Sequence, residues 1–200
     1  RRMRPDDKWN SADPYELFMG RWSRLTAVQF VQWVAAEPGL VWVDVGCGTG
    51  ALTGVIQHSA RPKQIIGIEP SPAFVETVQA RYGNDTTLFR VGTAADLPLD
   101  DAQADCLVSG LALNFFPDLP RALAEMRRVT KVGGTIAVYV WDYAGKMQFL
   151  CAFWDTAVSL NPDAVDFDEG TRFPICQPEP LRHLFMAAGL QQVMVSPLEV

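Results

Sequence analysis

Apolar residues along this chain fall into two alternating patterns. Short, nearly unbroken runs at 40–43, 64–68, 87–91, 105–109 and 135–141 read as strands buried on both faces. Between them, apolar positions recur at three- and four-residue steps, the mark of helices that bury one stripe. Residues 14–36 read as helix broken at Gly20: a short piece through Met19, then a longer one from about Ser23 with Ala27, Val28, Val31, Val34 and Ala35 inward. A crossover helix follows at 51–59. The next starts with Ser71 as cap and Pro72 in the first turn, buries Phe74, Val75, Val78 and Tyr82, and stops at Gly83. Asp118 caps another, with Leu119, Ala122, Leu123, Met126 and Val129 inward and Gly133-Gly134 ending it.

Strands alternating with helices predict an α/β fold: a doubly wound, mostly parallel sheet, Rossmann-like, covered on both faces. The pattern weakens after Asp142. Residues 145–160 look helical and aromatic, 161–176 form a loop bearing prolines and acids, and 180–188 is a helix with Leu181, Leu184 and Phe185 inward. Gly189 then precedes a sixth strand at 190–195. Residues 1–13 are polar and proline-bearing, hence a mobile lead-in. The remainder, 14–200, is expected as one domain with a helical cap at 14–37 and a substrate-covering region at 143–180.

Composition narrows the function classes. At 200 residues, 48% hydrophobic and 20% charged, the chain can bury a core without disulfides or metals. A net charge of −6 excludes a general nucleic-acid binder, because phosphate contact needs a basic surface. The cluster Arg121, Arg127, Arg128 and Lys131 reads as the solvated side of a helix. Cys47, Cys106, Cys151 and Cys176 share no CxxC spacing and read as reduced thiols of a cytoplasmic protein. No run reaches the ~18 apolar residues of a membrane span, and no signal peptide is evident. His58 and His183 lack metal-ligand spacing and read as helix-surface residues; no metal is expected. The chain opens Arg1-Arg2-Met3 and is read as a segment of a longer product.

The candidate chemistry centres on VDVGCGTG, residues 43–50. An apolar strand reaches Asp44 and breaks into Gly46, Gly48 and Gly50 before a helix begins. Alternate glycines let a ligand approach the main chain, and the helix turns its unpaired N–H groups to the same spot. Two patterns remain open. Gly46, Gly48 and Ala51 satisfy GxGxx(G/A) of dinucleotide binders, whereas Asp44 with the three glycines satisfies (D/E)xGxGxG of S-adenosylmethionine (SAM) binders. Glu69, 23 positions after Gly46 and at the end of the second strand, is placed to accept both hydroxyl protons of a ribose. Arg21 and Trp22 stand where side chains could project over a cleft; for Trp22, core packing is the plainer expectation.

Four ordered segments, VDVGCGTG, GIEPSP at 67–72, GTAADLP at 92–98 and RALAEMRRVTKVGGTIAVYVW at 121–141, resemble the class I SAM-dependent methyltransferases, especially the small-molecule group that includes quinone-biosynthesis enzymes. The resemblance covers about 15–142. It implies that Asp44, Gly46, Cys47, Gly48 and Gly50 lie beside the methionine part and sulfonium, that Glu69 and Pro70 hold the ribose, and that Thr93, Ala94 and Ala95 face the adenine. Thr93 stands where the family commonly has an acid, and Asp96 could substitute. The resemblance also puts Ser109, Gly110 and Leu111 over the cofactor, with Arg21 on a closing N-terminal helix. A seventh, antiparallel strand is usual in the family and nothing here follows Val200, so the expectation is either a truncated chain or a sixth strand that pairs differently and leaves an exposed edge.

The expected activity is SAM-dependent methyl transfer to a small-molecule acceptor, yielding S-adenosylhomocysteine. Trp22, Phe115, Phe116, Trp141 and Phe149 are candidate walls, and no general base stands out, His183 being a weak candidate. A nicotinamide-dependent oxidoreductase and a non-catalytic SAM-binding module remain as alternatives, and the oligomeric state, dimer included, is open.

Overall fold

The apolar runs pair into a five-stranded sheet, β1 (Val41–Val45), β2 (Gln64–Glu69), β3 (Thr87–Val91), β4 (Ala104–Gly110) and β5 (Thr130–Tyr139), in the order β3-β2-β1-β4-β5. Every pairing is parallel. The computed structural model describes residues 21–145 and 147–200, apart from the Arg21 side chain. The expected helix through Met19, the mobile 1–13 segment and the cofactor contact of Arg21 lie outside the described residues. These divide into two compact units, 21–139 with 197–200, and 140–196.

In the first unit, α1 (Arg21–Val34), α2 (Ala51–Ser59), α3 (Pro72–Tyr82) and α4 (Leu119–Val129) connect or flank the strands. Ala27, Phe30 and Val31 of α1 and Leu52 and Ile56 of α2 close over Trp42, Ile65, Cys106, Val108, Ala137 and Tyr139, with Leu198 packed against them. The alternate strand positions, Val43, Val45, Ile66, Ile68 and Leu107, are equally buried. That double burial explains why these strands are apolar throughout instead of alternating. Of the stripe expected on α4, Ala122, Leu123, Met126 and Val129 are fully buried and Leu119 is half-buried.

Strand order runs outward from β1 to β2 and β3, then returns to β4 on the other side of β1. Between β1 and β4 the winding reverses, and parallel sheets open a crevice at the carboxyl ends of two such strands. Both the glycine turn and the β4 exit lie at that point.

Several expectations need correction. The buried stripe of α1 is Ser23, Thr26, Ala27, Phe30 and Val31, whereas Val28 is exposed, since it lies about 100° around the helix from Ala27. Trp22, expected in the core, is 45% exposed. Helix α4 ends at Val129, where Thr130 turns extended and its hydroxyl donates to Met126 O at 2.7 Å. Gly133-Gly134 instead absorbs a bulge inside β5, whose pairing with β4 jumps from Ala104–Thr130 to Cys106–Thr135. The basic residues are not all a free solvated face: Arg128 pairs with Glu125 and Asp101, and Lys131 pairs with Asp105.

In the second unit, α5 (Gln148–Leu160) and α7 (Pro178–Ala187) match the helical patterns, with Phe185 buried. The expected loop 161–176 is mostly single helical turns, including α6 (Glu169–Arg172), because Asn161 and Asp168 cap them by accepting from Asp163 N and Gly170 N. The expected strand 190–195 forms no ladder. Its backbone is tied to α7 instead, Arg182 donating to Val193 O at 3.0 Å and Leu190 N to Phe185 O at 3.3 Å.

Leu107, fully buried at the centre of β4, tests the core. Leu107→Ala should lower stability by about 3 kcal/mol, through lost transfer energy and the cavity left behind, with the urea midpoint reduced and the slope unchanged.

Candidate functional site

The glycine turn is fixed by what each position must avoid. Gly46, Gly48 and Gly50 all have positive φ (74°, 51° and 85°), which L side chains rarely adopt. A Cβ on Gly50 would meet Val78 and the Tyr82 ring at 2.6–2.7 Å, and one on Gly46 would meet Ala112 Cβ at 2.8 Å. At Gly48 nothing lies within 4 Å. Two glycines are thus demanded by packing, and the middle one faces open space.

Main-chain and side-chain bonds lace the carboxyl ends of the strands into one rim. Gly46 N and Cys47 N both donate to Ile68 O, at 2.8 and 3.1 Å. The Ser109 hydroxyl, wholly buried, donates to Val45 O at 2.7 Å, joining the β4 exit to β1. Gly92 N donates to Glu69 O at 3.2 Å, and Leu111 N, in a left-handed residue (φ 58°), donates to Tyr139 O at 2.9 Å. Glu69 points inward: it is 8% exposed, Oε2 accepts from Gly48 N and Oε1 from Ser71 N, each at 3.1 Å. Pro70 between them is exposed.

The loop after β3 is held from outside the rim. Thr93 and Asp96, both exposed, form a bridge, Ala94 is buried, and Ala95 O accepts from Arg121 Nε at 2.8 Å. Glu125 accepts from Leu97 N, and Arg128 donates to Leu97 O and Leu99 O. The structure therefore brings Asp44, the three glycines, Glu69, Ser109, Gly110 and Leu111 together along the rim, with Thr93–Ala95 on the loop beginning beside Glu69. Phe116 packs near Gly46, and Phe115 is 40% exposed. Trp141, Phe149 and His183 belong to the other unit, where His183 is exposed.

Among the described residues, no ion pair reaches the carboxyl groups of the rim, Asp44 and Glu69. Asp44 is 1% exposed; its Oδ2 accepts from Thr53 Oγ1 at 2.6 Å, and its Oδ1 is buried with no partner. Burial pushes its pKa from 3.8 up to about 7, the Thr53 hydrogen bond opposes this, and the Glu69 charge adds to it. Burial also raises Glu69, against the pull of the Ser71 and Gly48 N–H groups, and, with the Asp44 and Glu69 charges, raises the Cys47 thiol, which disfavours its thiolate. Thr53 escaped the sequence reading, although a lone hydroxyl in the apolar stretch ALTGVI was a usable signal. Arg121, Glu125 and Arg128 also act in ways their sequence positions did not show. No metal cluster occurs among the described residues.

A reversed winding point carrying a glycine turn, an acid at the end of β1 and a second acid at the end of β2 defines the class I nucleoside-cofactor fold. Residues 43–138 match the family model described as a methyltransferase domain. The chain is 30% identical over 124 residues to a 2-phytyl-1,4-naphtoquinone methyltransferase of Trichormus variabilis, covering 60% of this chain and 54% of that one. It is 28% identical over 165 residues to a demethylmenaquinone methyltransferase of Staphylococcus carnosus, covering 76% and 68%. A solved SAM-dependent methyltransferase from Thermotoga maritima superposes with a TM-score of 0.65 at 27% identity, over 90% of this chain and 76% of that one. Over residues 43–138 the chain is thus similar to the methyltransferase-domain family, and it spans about half the length of the first of these relatives.

Two outcomes test the site. Gly50→Ala should destabilise the fold through its clash with Tyr82, while Gly48→Ala should be tolerated by the fold within about 1 kcal/mol, the cost of the strained φ; calorimetric melting separates them. For Asp44 the folded state holds its proton more tightly than the unfolded chain, so stability falls as pH rises from about 4 to about 7. The span corresponds to roughly 4 kcal/mol at most. Asp44→Asn should flatten this decline, so that its stability relative to the parent rises across that window and levels off above it, as read from urea unfolding at pH 5 to 8.

Proposed function

We propose that the protein transfers a methyl group from SAM to a small organic acceptor, with an oxygen-substituted aromatic ring of the quinol type as the best-supported class. The observations that carry the cofactor assignment are the buried Asp44 Oδ1 without a hydrogen-bond partner and, in the glycine turn that follows it, Gly48 facing open space. A cationic ligand arriving there would relieve two buried acids that have no counter-charge among the described residues, whereas a nicotinamide dinucleotide brings an anionic diphosphate to the same turn and would aggravate them. Quinone-related relatives support the acceptor class.

In this reading Asp44 and the turn at Gly46–Gly50 receive the methionine end, the Glu69 carboxylate uses its remaining lone pairs for the ribose hydroxyls, and Thr93–Ala95 border the adenine. Thr93 offers only an uncharged acceptor, so adenine recognition rests more on the backbone of Ala94 and Ala95, braced by Arg121. Ser109, Gly110 and Leu111 close the rim opposite. The sulfonium supplies an activated methyl: the acceptor's electron pair forms the new bond, the carbon–sulfur bond breaks with its pair returning to sulfur, and the acceptor proton leaves to water. What this chain contributes is alignment and exclusion of water. No helix among the described residues is long and apolar enough to cross a membrane, and the free thiols of Cys47, Cys106, Cys151 and Cys176 support a cytoplasmic setting.

Titration calorimetry with SAM and S-adenosylhomocysteine should show binding of both, and Glu69→Ala should weaken each by at least about tenfold through loss of the ribose contacts. NADH fluorescence should not change on mixing. Absence of SAM binding up to about millimolar concentration would end the proposal.

A further inference from the structure

Among the described residues, the buried side-chain nitrogen and oxygen atoms without a hydrogen-bond partner are Trp42 Nε1, Asn114 Nδ2 and Asp44 Oδ1. The first two are neutral donors, and Asp44 is the group that ionises. What the fold offers its carboxyl comes from one residue. Thr53 is fully buried, its hydroxyl donates to Asp44 Oδ2 at 2.6 Å, and its backbone N–H favours the charged form as well.

Thr53 is used differently from threonines in the longer helices of this chain. Thr26, Thr77 and Thr156 each spend the hydroxyl on the carbonyl four residues earlier in their own helix. Thr53 stands third in α2, where N–H groups have no partner inside the helix and the cap, Gly50, has no side chain to supply one. Both of its donors therefore turn to the end of β1, and the positive end of the helix favours a carboxylate there. Val is branched in the same way and would fill the site, so packing does not account for the hydroxyl.

The cofactor pair gives this contact its meaning. SAM and S-adenosylhomocysteine share the nucleoside and the amino-acid part; they differ by one methyl group and the positive charge on sulfur. Main-chain contacts grip both alike. A buried negative charge favours the sulfonium alone, and because it is weakly screened it acts without touching the ligand. Whether Asp44 carries that charge is decided locally: burial opposes it most, the Thr53 hydroxyl supports it, and the Glu69 charge opposes it. Cys47 is the other titratable group beside Asp44, and the same acids and burial keep its thiol from ionising. Glu69 has main-chain donors of its own, Gly48 N and Ser71 N, which do not depend on Thr53.

We propose that Thr53 is a positioning residue of the cofactor site, which by holding the Asp44 carboxyl sets the ratio of affinities for the sulfonium cofactor and its neutral product. The inference rests on the methyltransferase reading above and deepens it by naming the residue that lets the site tell fresh cofactor from spent. Thr53 acts through Asp44, and no bond to either residue is made or broken.

The test is titration calorimetry of SAM and of S-adenosylhomocysteine from about pH 5.5 to about pH 7.5, below the range near 8 where the ligands' amino groups titrate. In the parent the affinity ratio should rise with pH in favour of SAM. Thr53→Val should weaken SAM about fivefold or more at the upper end, leave S-adenosylhomocysteine within about twofold, and move the rise to higher pH. Thr53→Ser, which keeps the hydroxyl, should restore the ratio. In an Asp44→Asn background, Thr53→Val should change the ratio no further. A purely structural role would weaken both ligands alike and persist in that background. A ratio independent of pH in the parent overturns the proposal without any variant. An unchanged ratio in Thr53→Val, an equal loss of both ligands, or a change of ratio that survives Asp44→Asn would each overturn it too. Failure of the parent to bind either ligand would instead overturn the cofactor reading beneath it.

Discussion

Two carboxyl groups held out of water at the ends of adjacent parallel strands dominate this structure. Asp44 and Glu69 are both almost wholly buried, repel each other, and accept from hydroxyl and backbone N–H donors, with no ion pair to either among the described residues. Burying such groups opposes folding, and the rest of the fold must offset that cost. The glycines, the strand exits and the braced loop can all be understood as the frame that keeps these two acids in place while leaving the space before Gly48 open.

That frame is built mainly from main-chain bonds. Ile68 O accepts two N–H groups from the glycine turn, Val45 O accepts the Ser109 hydroxyl, and Glu69 O accepts Gly92 N. Carbonyls and N–H groups at strand ends have no ladder partner and must be satisfied somewhere. Here they satisfy one another across the rim, which makes the site stiff without side-chain entropy to lose. The loop after β3 lacks such partners and is braced by side chains instead. Arg128 joins Glu125, Asp101 and two carbonyls of that loop, and Glu125 takes Leu97 N. This ion-pair cluster is partly exposed, so its worth lies in fixing a conformation more than in adding stability.

Reach is what separates the polar groups at the site. Gly48 and Glu69 are tied to each other, Asn114 is tied to nothing, and Ser109 is committed inward to β1. A side chain already satisfied by the fold has little left for a ligand.

The hydrophobic pattern alone determined the five strands, helices α2, α3 and α4, and the succession of β1, glycine turn and Glu69, because burial on two faces, a 3.6-residue stripe and a positive-φ turn each leave a local signature in residue type. It overreached where the deciding forces were not local. Val28 and Ala27 cannot share one face, a bulge took over the two glycines expected to end α4, and 190–195 gave its hydrogen bonds to α7 and its cap instead of a sheet. Only the tertiary structure could show that Asp44 relies on Thr53, that Arg121 and Arg128 clamp a loop almost 30 residues earlier in the chain, and that Asn114 has no partner. Which polar atom meets which, and which is left over, depends on residues far apart in sequence, and no spacing along the chain encodes it.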